Sequence, residues 1–296
     1  MINPLLLGVV FFLASLWPAC SAAKSFFTAT PLRSVYEALA DNHPRRAYQE
    51  LSLALNKGQL DPSGKHWTKA GEIILEQTQC GRQLVNASAD GSHLRVTYSI
   101  QSNPRRQFTY QILVSSLGKH ESLDFEFMDV KDHPWFSGSL PASETAATYK
   151  SPEWLAPFPS GAYTLRVNQT NRYSIFIAPE GNKDWLDPWS RTGKMGVRLP
   201  AQMKGCPPVT LAQSWLDKDY NALAPPVFLN KQDAITLPTN PPDGALWYSA
   251  AVSLFYYHGG IQIEFQQRAT IPVTWLPKKQ GKNDIEMTKL KYKTSK

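Results

Sequence analysis

The sequence predicts an α+β, mainly β protein: a short helical cap of about three helices, then two β-sandwich domains. Three observations carry that expectation. Apolar residues recur at helical spacing before Gly81 and at every second position after it. Proline is abundant, at 23 residues, and clusters between the aromatic and β-branched runs as turn punctuation. A chain of 296 residues exceeds what one hydrophobic core ordinarily serves, so two β units suit its length.

Residues 1–23 read as a signal peptide. From Leu5 to Trp17 the chain is almost wholly apolar, Pro18 breaks the run, and Ser21-Ala22-Ala23 places small residues where a signal peptidase cuts. Such a run is too short to cross a bilayer, so the expected location is the periplasm, reached through cleavage. Cys20 raises a lipoprotein reading, which Trp17-Pro18-Ala19 disfavours: such signals carry a Leu-like residue and then small ones before the cysteine. Loss of Cys20 leaves Cys80 and Cys206, and a pair in an exported chain reads as a disulfide. A bridge closing so long a loop is worth roughly 4–5 kcal/mol in the chain-entropy model.

Residues 24–81 form the expected cap. Thr30 reads as an N-cap with Pro31 at the first helical position, and Leu32, Val35, Tyr36 and Leu39 share a face. A second helix follows Pro44, striped by Ala47, Leu51, Ala54 and Leu55 and stopped by Gly58. A third follows Asp61-Pro62, with Trp67, Ala70 and Ile74 on one side, and ends near Cys80-Gly81. The three resemble one and a half tetratricopeptide-like units, short of what a solenoid needs.

Residues 82–179 hold the first expected sandwich. Leu94, Val96, Tyr98 and Ile100 alternate with polar residues, as do Phe108, Tyr110, Ile112 and Val114. Residues 123–127 alternate apolar and acidic; 135–158 lacks a period and is expected to be irregular. A hairpin follows, with Tyr163, Leu165 and Val167 returning as Tyr173, Ile175 and Ile177. Residues 180–192, rich in Gly, Asn, Asp and Trp, read as a linker. The second sandwich, 193–277, is expected to place strands near 195–199, 210–216, 234–237, 246–257, 261–268 and 271–275. Pro207-Pro208, Pro225-Pro226 and Pro241-Pro242 separate them. The two halves echo each other at Pro159-Ser160-Gly161-Ala162-Tyr163 and Pro242-Asp243-Gly244-Ala245-Leu246-Trp247. Each echo resembles the corner of immunoglobulin-like sandwiches in which an aromatic residue locks the turn into a long strand.

The net charge of +7 is concentrated in 278–296, a basic tail with seven lysines against Asp284 and Glu286. That tail reads as a solvated end able to touch anionic surfaces, and nucleic acid is not an expected partner of an exported chain.

No catalytic set, cofactor or metal site is expected. The six histidines (His43, His66, His93, His120, His133 and His258) show no metal-ligand spacing and read as surface or capping residues. Ser116-Leu117-Gly118-Lys119 matches a serine–lysine pattern but falls in a hairpin turn without companion motifs. Asp124, Glu126, Asp129 and Asp132 read as a solvated strand face rather than a carboxylate pair across a cleft. Tryptophan is the stronger signal. Trp154, Trp185 and Trp189 lie among Pro, Gly and Asp, so Trp154 with Asp184, Trp185, Asp187 and Trp189 form the candidate interaction surface. The competing reading puts Trp185 and Trp189 inside an interdomain joint.

The cap also carries a family resemblance. Thr30-Pro31-Leu32 to Tyr36, Ala47-Tyr48-Gln49-Glu50-Leu51, Leu53-Ala54-Leu55, Trp67 and Ile74-Leu75-Glu76-Gln77-Thr78-Gln79-Cys80-Gly81 resemble an exported family of vibrios and relatives, domain of unknown function 2861. Members are sometimes encoded beside an envelope-stress histidine kinase and its response regulator. The resemblance implies a periplasmic accessory role and brings no catalytic residues. The expected function is therefore non-enzymatic: protein–protein interaction at the cell envelope with a partner not identified by sequence, in the company of a two-component system. The alternatives are a carbohydrate- or peptidoglycan-binding module, a hydrolase assembled from scattered residues, and a pilus-type chaperone.

Overall fold

The computed structural model describes residues 30–58, 60, 64–84, 93–102, 107–178, 184–188, 193–230 and 233–277. The expected signal segment 1–23, the basic tail 278–296 and Trp189 lie outside the described residues. What is described is mainly β, with three α-helices and fourteen strands in several sheets.

The cap consists of α1 (Arg33–Ala40), α2 (Pro44–Asn56) and α3 (Lys65–Gln77). α1 starts after, not at, the position the Thr30 cap predicts. Thr30 offers its carbonyl to the Arg33 N–H at 3.0 Å, and no side chain among the described residues caps the helix. α2 begins at Pro44 and buries Ala47, Leu51, Ala54 and Leu55, the stripe read from the sequence. Trp67, Ala70 and Ile74 of α3 are buried with them, and Ala162 and Phe176 of the β region complete this second core.

Two ties fasten the cap's end to the β region. Cys80 and Cys206 form a disulfide across 126 residues, with Cα atoms 4.7 Å apart. The Tyr257 N–H donates to the Cys80 carbonyl at 2.9 Å. Gly81 follows at φ +82°, and a Cβ there would lie 1.9 Å from the Tyr257 carbonyl oxygen, so only glycine permits this approach.

The strands are β1 (Leu94–Ser102), β2 (Phe108–Ser116), β3 (Leu123–Asp129), β4 (Pro134–Leu140), β5 (Thr148–Lys150), β6 (Gly161–Val167) and β7 (Asn171–Ile177). Then come β8 (Leu186–Asp187), β9 (Lys194–Val197), β10 (Thr210–Leu216), β11 (Val227–Leu229), β12 (Ala234–Thr236), β13 (Trp247–His258) and β14 (Ile261–Pro272). They pair as a seven-stranded sheet, β11-β10-β13-β14-β1-β2-β5, a four-stranded sheet, β4-β3-β6-β7, and a three-stranded sheet, β12-β9-β8.

Every pairing among the described strands stays within 94–177 or within 186–272, except one. β1 runs parallel to β14, from Arg95 opposite Gln262 to Ser102 opposite Ala269, and fuses strands of both halves into the large sheet. A ladder of polar side chains sets that register: Arg95 Nε donates to Gln262 at 2.7 Å, Thr97 Oγ1 to Glu264 at 3.0 Å, and Gln101 to Thr270 at 3.4 Å. The smaller sheets cover the opposite, apolar face. Phe125 of β3 meets Tyr149 of β5 at 5.2 Å, and Trp185 meets Phe265 of β14 at the same distance. One continuous core results, drawing on all three sheets.

Several expectations need correction. The stretch 135–158 is not irregular, for it contains β4 and β5. β4 hides its strand character behind Pro134, Gly138 and exposed positions, burying only Phe136 and Leu140. Gly138 has a packing reason, since a Cβ there would lie 2.6 Å from the Tyr149 ring. The expected linker contains β8, which pairs with β9. The strands expected at 261–268 and 271–275 are one strand, β14, ending in a 3₁₀ turn at Val273–Trp275. The corner at Pro159–Tyr163 closes as the aromatic echo predicts: the Tyr163 hydroxyl donates to the Pro159 carbonyl at 2.6 Å. Its counterpart, Trp247, instead stacks on Tyr220, ring centroids 5.0 Å apart.

Candidate functional site

Strand direction gathers most of the large exposed apolar side chains among the described residues at one end of the seven-stranded sheet. β1, β10 and β14 finish there, and β2 and β13 begin there. The connecting segments interlock through the backbone. Trp154 and Tyr110 exchange two hydrogen bonds of 2.9 Å; the Leu223 N–H donates to Trp215, the Leu246 N–H to Leu216 and the Val273 N–H to Leu246. Partial burial, and then the charge of nearby Glu153, raise the pKa of the Tyr220 phenol.

On this scaffold Phe108, Trp135, Leu155, Tyr220, Leu223, Leu246 and Trp275 are exposed. Leu155 is 85% exposed and Trp275 59%. Val227 and Phe228 extend the apolar surface onto β11, a free edge strand of the large sheet. Water-facing apolar side chains scattered singly need no explanation, whereas a gathered set of this kind is a candidate interaction surface.

The sequence-predicted site residues fall unevenly against this surface. Trp154 belongs to it: half-buried, it packs on Phe158 at 4.5 Å and meets Trp135 edge-on at 6.5 Å. Trp185 is buried against Phe265, and its backbone N–H donates to Gln267 at 2.6 Å, so its ring is core rather than surface. Asp184 and Asp187 beside it are exposed. Most of the exposed set escaped sequence reading because Leu155, Leu246 and Phe228 look like ordinary apolar residues until strand direction brings their loops together.

The remaining candidates have structural roles. Ser116 accepts the Ala147 N–H at 2.9 Å on its hydroxyl. On the acidic face, Glu126 pairs with Arg166 and Asp132 with Arg172 at 3.1 Å. Asp129 accepts the N–H groups of Lys131 at 2.7 Å and His133 at 3.0 Å, which hold its carboxyl below the usual range. Among the described residues no group of three or more His, Cys, Asp or Glu is placed to hold a metal ion. Nor, among them, is any helix long and apolar enough to cross a membrane.

His258 overturns the surface-histidine expectation. It is buried among Tyr48, Phe176 and Tyr256, and its Nδ1 accepts the Phe176 N–H at 3.2 Å. Burial pushes its pKa down to about 3, so the ring is neutral with its proton on Nε2.

The fold and surface thus define a helix-capped, mainly β protein, disulfide-linked, that presents an apolar end. Residues 26–274 match the model of the family described as "Protein of unknown function (DUF2861)", and the chain belongs to that family. No curated protein matches the sequence.

Proposed function

We propose that this is an exported, non-enzymatic protein of the cell envelope that acts by holding a protein partner on the aromatic end of its large sheet. The observation carrying the reading is the gathering of Leu155, Tyr220, Leu246 and Trp275 on interlocked loops. Exposed apolar surface costs solubility, and a partner that covers it recovers the hydrophobic free energy. Export rests on the signal-like residues 1–23 and agrees with the Cys80–Cys206 disulfide, a bond suited to an oxidising compartment. A sensor kinase of an envelope-stress system is the partner we would test first. The two faced layers of each half, with the locked Tyr163 corner, support an immunoglobulin-like reading of the sandwiches.

The carbohydrate-binding reading keeps one observation, the near-parallel stack of Tyr220 on Trp247 with 20° between the rings. It loses two others: Trp185 is buried, and Trp135 and Trp154 stand at 77°.

Chemical crosslinking of native envelopes followed by capture of the tagged mature protein separates the readings. Reproducible recovery of one envelope protein, lost in the Leu155→Ser, Trp275→Ser double variant, is expected. Recovery of glycan, or of the same protein with both variant and wild type, would remove the proposed surface.

A further inference from the structure

An apolar cavity of about 150 Å³ lies between the helical cap and the inner face of the large sheet. Leu51, Trp67 and Ile74 line it from the helices, and Phe176, Tyr98 and Phe265 from the strands. Half-buried Thr68 and Met203 and exposed Glu72 also border it, so its wall reaches the surface. A cavity of this size has room for a benzene-sized molecule.

Three features distinguish it from a packing defect. Tyr48 lines the cavity, and its hydroxyl is shielded from solvent and has no hydrogen-bond partner among the described residues, an expense a ligand's acceptor would remove. Burial raises its pKa, so it remains a donor. Gly71 stands inside α3 on the cavity wall, where, outside its own helix and among the described residues, a Cβ would meet only Leu51 Cδ2, at 4.0 Å. Among the described residues nothing in the backbone or the packing requires glycine there, yet it is the least favourable helix-interior residue after proline. Glycine at this position keeps the space open. Finally, no Lys or Arg is among the described lining residues, His258 is neutral, and Glu72 at the border has its carboxylate paired with Lys69 at 3.1 Å. That lining offers an anion no counter-charge.

We propose that the cavity binds a neutral, largely apolar small molecule of about six to eight carbons whose single acceptor oxygen takes the Tyr48 hydroxyl proton in a hydrogen bond. The site is independent of the surface at the sheet end.

Calorimetric titration of the mature full-length protein with acetophenone, ethylbenzene and benzoate tests it. Acetophenone, neutral and with a carbonyl acceptor, is expected to bind saturably at one site, and benzoate not to bind. Tyr48→Phe should weaken acetophenone about five- to tenfold and leave ethylbenzene unchanged. Gly71→Met, whose side chain fills the space, should abolish binding of both. If that variant does not fold, Gly71→Ala should still weaken both probes measurably. Absence of saturable acetophenone binding, equal binding of benzoate, or wild-type affinity in both the Tyr48 and Gly71 variants would overturn the proposal.

Discussion

His258 departs furthest from its ordinary chemical state, and it makes the fold's acid limit predictable. Its folded-state pKa of about 3 lies below the unfolded value of 6.5. The unfolded chain therefore binds the proton first as pH falls, and stability is complete above pH about 6.5 and declines toward pH 3. The decline approaches about 1.4 kcal/mol per pH unit within that window. Urea unfolding between pH 7 and pH 4 should show it, and His258→Asn, which keeps an acceptor for the Phe176 N–H, should flatten the slope. An unchanged slope in the variant would assign the acid loss to other groups. The sequence did not show this burial, because the cap, β7 and β13 that enclose the ring are far apart along the chain. The Tyr163 corner, by contrast, was legible, since its donor and acceptor lie four residues apart. Tyr163→Phe should cost about 1 kcal/mol in the same measurement.

At the scale of elements, the cap is held by a covalent tie and a close approach. The Cys80–Cys206 bond spans 126 residues, so its loss should lower unfolding free energy by about 4–5 kcal/mol in the chain-entropy model. Denaturant melts with and without reductant check this, and coincident melts would mean that the denatured chain is not loosened by cutting the bond. Gly81→Ala should be at least as damaging as an ordinary core change, about 2–4 kcal/mol, because the new Cβ would overlap the Tyr257 carbonyl. The parallel β1–β14 seam is the other joint. Glu264 there accepts hydrogen bonds from Thr97 at 3.0 Å and Ser253 at 2.6 Å and pairs with Arg95 at 3.5 Å. Glu264→Ala leaves the Thr97 and Ser253 hydroxyls without this acceptor and Arg95 without its carboxylate partner, and about 3 kcal/mol should be lost in urea unfolding. The disulfide was readable from cysteine arithmetic and the alternating strands from their period. The seam was not, because nothing in either strand's own pattern names a partner across more than 160 residues.

For the whole molecule, the apolar sheet end should be dispensable to folding and necessary to association. Leu155→Ser, Phe228→Ser and Trp275→Ser alter exposed side chains, so each should change unfolding free energy by no more than about 0.5 kcal/mol. Combined, they should reduce retention on a hydrophobic-interaction column and binding of a hydrophobic dye. A large fall in stability would instead make this surface part of the core. What the sequence by itself determined is local. Helix faces at α2 and α3, the change of period after Cys80, the cysteine pair and the Tyr163 corner all follow from spacings of two to four residues or from counting one rare residue type. What only the tertiary structure decided is which separated segments meet: β1 with β14, Tyr48 with His258, Leu155 with Tyr220 and Trp275 at one sheet end. An apolar residue reads the same in a chain whether it turns toward a core, a cavity or water. Strand direction and sheet order, set by the packing of the entire molecule, choose among the three.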